Sequence, residues 1–289
     1  MMGEAGNAGA GRAKSDVLSE LQQAIGAIEA TSADLVRKNV NQNDEVDDAK
    51  PPAREPEKRG KPQPISYPGM PEGTDWLQHV PARYKDGQRG FDRRIMEELA
   101  AVGVPCYTLD ELANRVSTIP QGIPIFIDWL AHLEERIPGE ETPHRQAIRA
   151  GLIRNLNDAA ARGNTAAIET LTRQLRRRPP LDRGLVDYAE RALARIATKR
   201  DFALVAELIR ELSPHYPVGP LIEYLGKVNS AEARELALRY LDTPSTYFAI
   251  RALTRMKAPN VRHLIEPYTE HTSSSIRKEA RRAMERLPE

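Results

Sequence analysis

Four six-residue stretches recur along the second half of the chain with one layout: RALARI (191–196), EYLGKV (223–228), RALTRM (251–256) and RAMERL (282–287). Each carries an apolar residue at its third and sixth positions and a basic residue at its fifth. Successive copies are offset by 32, 28 and 31 residues. Between two of them, AEARELALRYL (231–241) superposes on PNVRHLIEPYT (259–269), matching Ala233 to Val261, Arg234 to Arg262, Leu236 to Leu264 and Tyr240 to Tyr268. A period near 30 residues holding two helices describes units that bury their apolar faces against their neighbours, as in an α-solenoid. A bundle without repeats needs no such periodicity.

Composition agrees with helices. Aromatic residues make up only 5% of the 289 residues, and Ala, Leu and Arg dominate over β-branched strand formers. From about residue 86 the apolar spacing predicts helices over 89–102, 108–117, 123–134, 143–157, 164–177, 183–198, 201–212, 219–227, 230–241, 245–257, 260–271 and 274–287. Connections this short place consecutive helices antiparallel. Prolines punctuate the pattern: Pro124 and Pro143 near helix starts, Thr243-Pro244 as a cap with a first-turn proline, and Pro179-Pro180 as a break. Pro267 falls inside a segment and is expected to kink it.

Three regions follow. Residues 1–64 form an arm in which the Pro-rich, apolar-poor stretch PPAREPEKRGKPQP cannot repay its ordering entropy, so this arm is expected to be disordered. Within it, Leu18, Leu21, Ile25, Ile28 and Leu35 put one apolar stripe on a helix over about 16–38, suited to docking or to self-association. Residues 65–88 mix Pro and Gly with Ile65, Tyr67, Trp76, Leu77 and Tyr84, the composition of an irregular N-terminal cap. Residues 89–289 are the helical repeat domain.

The stretch YFAIRALTRMKAPNVRHLIEPYTEHTSSSIRKEARRAMERL resembles the last two units of bacterial HEAT-like repeat proteins, the short-repeat type also found in phycobilin lyases. VGVPCYTLDELANRV and IPIFIDWLAHLEER resemble the opening of an uncharacterised bacterial subgroup of such proteins. The resemblance implies an all-α, armadillo-type solenoid of antiparallel helix pairs and a non-enzymatic, protein-binding role. It implies no cofactor.

The first and fifth positions of the repeated hexamer lie four residues apart, on one helical face. They pair Arg191 with Arg195, Glu223 with Lys227, Arg251 with Arg255, and Arg282 with Arg286. Stacked in successive units, they form a basic ridge suited to an acidic peptide or polyanion. The competing expectation is a solvated ladder in which these arginines pair with Asp or Glu of adjacent units, such as Glu190, Glu207 or Glu279. With 42 Lys and Arg against 41 Asp and Glu, the whole chain offers little long-range steering of nucleic acid. A nucleic-acid-binding or base-processing reading therefore rests on the ridge and on RQLRRR (173–178) alone, and a lyase-type reading on the repeat alone.

Other chemistry has thin support. None of the six His belongs to a two-His-plus-Glu zinc motif, and His263, Glu266 and Glu270 read as a solvated cluster, so no metal is expected. Cys106 has no evident base partner. Trp129 reads as core with Asp128 outside. A single cysteine, no basic start followed by an apolar stretch and no long apolar run suit a cytoplasmic protein without a membrane span.

Overall fold

The computed structural model describes residues 65–288, and the arm positions Leu18, Leu21, Ile25, Ile28 and Leu35 lie outside them. The described residues are helical, without strands. In chain order the helices are α1 (Arg93–Ala101), α2 (Leu109–Arg115), α3 (Ile123–Ala131), α4 (Leu133–Arg136), α5 (Pro143–Asn155), α6 (Thr165–Leu175), α7 (Arg183–Ile196), α8 (Phe202–Leu212), α9 (Gly219–Val228), α10 (Ala231–Leu238), α11 (Thr246–Arg255), α12 (Arg262–Ile265) and α13 (Ser274–Arg286).

Local chemistry sets the starts. The side chains of Asp92, Thr108, Thr142, Asn164, Asp182 and Ser230 each accept a hydrogen bond from a backbone N–H in the first turn of the helix they precede. Such a cap is worth about 1 kcal/mol. Pro124 and Pro143 occupy first-turn positions, where a missing N–H costs nothing. Pro244 does not. Thr246 opens α11, and Thr243 instead accepts from the Ser245 N–H in the turn ahead. Pro267 does more than kink its segment: α12 stops at Ile265 and a tighter 3-10 turn runs over Glu266–Glu270, because a proline there cannot continue the hydrogen-bond ladder. His132 likewise divides the segment from 123 into α3 and α4.

Alternate helices pack on one another. Helices α5, α7, α9, α11 and α13 contact one another in succession, each touching the next but one in sequence. The intervening α6, α8, α10 and α12 pack on them, and α8 also touches α10. The hexamers occupy the C-terminal ends of α7, α9, α11 and α13. Their third positions Leu193, Leu225 and Leu253 are fully buried, as are the second-position residues Ala192, Tyr224, Ala252 and Ala283. At Gly226 the approach is closest: a Cβ there would stand 3.1 Å from the Ala252 Cα and 3.2 Å from its carbonyl oxygen, so glycine lets α9 and α11 meet backbone to backbone.

Residues ahead of α1 are held against α2 and its approach. Trp76 packs edge-on to Tyr107, Tyr84 stacks on the other side at 4.9 Å, and the Tyr67 hydroxyl donates to the Pro105 carbonyl at 3.1 Å. All three rings of Tyr67, Trp76 and Tyr84 are buried.

Candidate functional site

The fifth hexamer position falls in the last turn of four helices, so Arg195, Lys227, Arg255 and Arg286 end α7, α9, α11 and α13. The first position lies one turn earlier, at Arg191, Glu223, Arg251 and Arg282. These two rows have different fates.

Earlier in the helices the charges are neutralised. Arg191 Nε bonds Asp187 Oδ2 at 2.7 Å on its own helix. Arg251 reaches across to α9, where its Nη2 and Nε lie 2.9 and 3.0 Å from Glu223 Oε1, and its Nη1 meets the Tyr247 hydroxyl at 3.1 Å. Burial works against the Arg251 charge, yet Glu223 and Tyr247 hold it more firmly protonated than usual. Arg282 is also engaged. Of the pairs expected between neighbouring units, Arg251 with Glu223 is present, whereas Arg191 pairs within its own helix. Glu207 pairs with Arg176, and Glu279 is felt by Arg251 without an ion pair. Glu190 is buried at 3% exposure, takes no ion pair among the described residues, and has its carboxyl pushed up to about 8 by burial, with Asp187 adding and Arg191 opposing.

At the helix ends the cations are left without carboxylates. Among the described residues none lies within ion-pair distance of Arg195, Lys227, Arg255 or Arg286. Lys227 Nζ donates to the carbonyls of Ala194 at 3.0 Å and Arg195 at 3.4 Å, capping the end of α7. Burial pushes its ammonium down to about 8, and the charges of Arg255, Arg162 and Arg195 push the same way against Glu223. The half-buried Arg195 has an Nε that is out of water and without a hydrogen-bond partner. Arg255 is exposed. Arg162 precedes Gly163, whose N–H donates to the Ile196 carbonyl at 2.8 Å, so it sits at the same end of α7. Arg162 lies outside the repeated hexamer, and its only signal in the sequence is a basic residue in the turn before Asn164.

Other candidates resolve as structure. Two of the four arginines of the run 173–178 are ion-paired, Arg176 bonding both oxygens of Glu211 at 2.8 Å and Arg177 contacting Glu134 and Glu141, while Arg173 donates to the Thr170 hydroxyl and Arg178 to backbone carbonyls. Arg149, fully buried, is the residue that sequence reasoning missed. Its guanidinium meets Glu134 and Glu141 at 2.9 Å and Gln174 Oε1 at 2.9 Å, tying the turn after α4 to α5 and α6. Trp129 is core, its Nε1 donating to Glu98, with half-exposed Asp128 outside on Arg136. Cys106 is buried with Sγ 3.3 Å from Met96 Sδ, and burial raises its thiol far above the range in which a thiolate forms near neutral pH. His263, Glu266 and Glu270 are exposed, and no group of three or more His, Cys, Asp or Glu among the described residues is placed to hold a metal ion. A shallow groove between α3 and α6 is lined by Pro124, Ile127, His132, Ala166 and Thr170.

Among the described residues, no helix is long and apolar enough to cross a membrane. Comparison of the chain with protein-family models, with curated proteins and with solved structures gives no match.

Proposed function

We propose that the chain is a non-enzymatic, HEAT-like α-solenoid of cytoplasmic type that binds a partner protein through an acidic peptide segment laid across the ends of α7, α9 and α11. What supports the solenoid is the succession of contacts α7 to α9 to α11 to α13 at the sequence period of the hexamers, with α5 packed against α7 ahead of it. What supports the binding surface is one contrast. Arg191 and Arg251 have carboxylate partners, while Arg195, Lys227 and Arg255, one turn further on, have none among the described residues.

Cations of equal sign crowded together oppose folding, and Asp or Glu on a neighbouring turn would relieve them. The one acid on a neighbouring turn that acts on Lys227, Glu223, is turned to Arg251, and a row left so is arranged for charge brought by something else. The buried, unreactive surroundings of Cys106 favour binding over thiol chemistry. The test is fluorescence anisotropy with a labelled Glu-rich peptide. Wild-type chain should bind it with an affinity that falls as salt rises, and Arg195→Glu with Arg255→Glu should abolish binding. Unchanged binding in that double variant would exclude this surface.

A further inference from the structure

We propose that the C-terminal ends of α7, α9 and α11 form a subsite for a phosphoryl group carried by a phosphorylated peptide, held by Arg162, Arg195, Lys227 and Arg255. This rests on the protein-binding reading above and specifies its ligand.

Backbone geometry sets the four residues at adjoining helix ends, where the charges of Arg162, Arg195 and Arg255 all act on Lys227. Lys227 reaches the last carbonyls of α7, beside Arg195. Gly226 admits α11 so closely that the Arg255 Cβ would stand 3.2 Å from a Cβ at that glycine. The Gly163 bond to Ile196 brings Arg162 to the same helix end. The nearest acid, Glu223, is turned to Arg251.

Capping of helix dipoles accounts for part of this charge. Each helix C-terminus presents about half a negative charge, so three of them offset roughly 1.5 of the four positive charges and leave about +2.5. Lys227, bonded to the end of α7, absorbs most of one dipole by itself. A single carboxylate would neutralise less than half of the remainder, whereas a phosphoryl group brings about −1.5 to −2 and three acceptor oxygens in one compact head. The forked donors of Arg162, Arg195 and Arg255 suit such a head.

A peptide fits better than a nucleic acid. Strands of DNA or RNA need basic groups tracking several phosphates and aromatic faces for the bases. Here the cations belong to the adjoining ends of three helices, and the hexamer's own aromatic residue, Tyr224, is buried with its hydroxyl on the Thr198 carbonyl.

The test uses full-length chain and three labelled Gly/Ser peptides that differ at one residue, phosphoserine, Glu or Ser, together with a 5′-phosphorylated oligothymidine. The phosphoserine peptide should bind at least about tenfold tighter than the Glu peptide. The exposed pair Arg162→Gln with Arg255→Gln should lose that preference, and Arg191→Gln should keep it. A bound phosphoryl group stabilises the Lys227 ammonium, so affinity should also fall as pH rises above about 8, a dependence that Lys227→Arg removes. Equal binding of phosphoserine and Glu peptides would overturn the subsite and leave the protein-binding reading standing. Failure of every peptide, the Glu-rich one included, would overturn both. Oligothymidine binding that strengthens with length would replace the phosphopeptide by a nucleic acid.

Discussion

Replacing Glu190 by Gln should stabilise the protein at neutral pH, and the gain should itself depend on pH. Glu190 is buried at 3% exposure on α7, one of its oxygens has no hydrogen-bond partner, and its carboxyl is pushed from 4.5 to about 8. Between those two values the folded chain holds a proton that the unfolded chain releases. Stability therefore falls as pH rises from about 4.5 and levels off above about 8. At pH 7 the interval above 4.5 corresponds to a cost of about 3 kcal/mol, at about 1.4 kcal/mol for each pH unit. Gln keeps the shape and removes the titration, although its amide must also find partners, so a gain of about 1–3 kcal/mol is expected at pH 7. Urea denaturation of both proteins at pH 4, 6, 7 and 9 measures it. The two curves should converge near pH 4 and separate steadily to pH 8. A variant that is no more stable at pH 7, with the same pH slope as the parent, would refute the argument that Glu190 is held protonated.

Three further outcomes are expected. Arg149→Met removes a fully buried guanidinium from Glu134, Glu141 and Gln174; it should cost about 3 kcal/mol in urea titrations, since a broken buried pair strands its partners and these two carboxylates are only partly shielded. Gly226→Ala forces a Cβ against the Ala252 backbone, and the separation of α9 from α11 should lower stability by about 1–3 kcal/mol, read as a drop in Tm. Arg191→Gln, which breaks a half-exposed pair within one helix, should change stability by less than about 0.5 kcal/mol and leave acidic-peptide binding intact.

Helices were legible in the sequence because their signals are local. Thr142 before Pro143, Asp182 before Arg183 and Ser230 before Ala231 announce starts by cap chemistry, and each cap hydrogen bond is present. The hexamer was legible for the same reason, since Leu193, Leu225 and Leu253 repeat where burial repeats. Its companion alignment held at Ala233 and Val261, both buried, and failed at Leu264, which is 40% exposed opposite buried Leu236. Pro267 converts the end of that segment to a 3-10 turn, in which residues three apart stay aligned but residues four apart no longer share the face they share in α10.

The site was only half legible. Spacing identified which residues form a charged column, but whether a cation is neutralised depends on contacts between helices. Arg251 finds Glu223 across 28 residues, and Arg162 joins the helix ends from outside the motif. Arg149 shows the same limit. An arginine in the middle of an amphipathic segment reads as a surface residue until three partners from α4, the following turn and α6 enclose it.

The central claim is that the unpaired cations at the ends of α7, α9 and α11 receive the ligand while their paired neighbours do not. Arginine-selective ¹⁵N labelling, with the Nε–Hε signals followed during titration with the phosphoserine peptide, measures this side chain by side chain. Arg195 and Arg255 should shift saturably and together with Arg162, while Arg191 and Arg251, held by Asp187 and Glu223, stay in place. Saturable shifts confined to Arg191, Arg251 or arginines elsewhere in the chain would contradict the account.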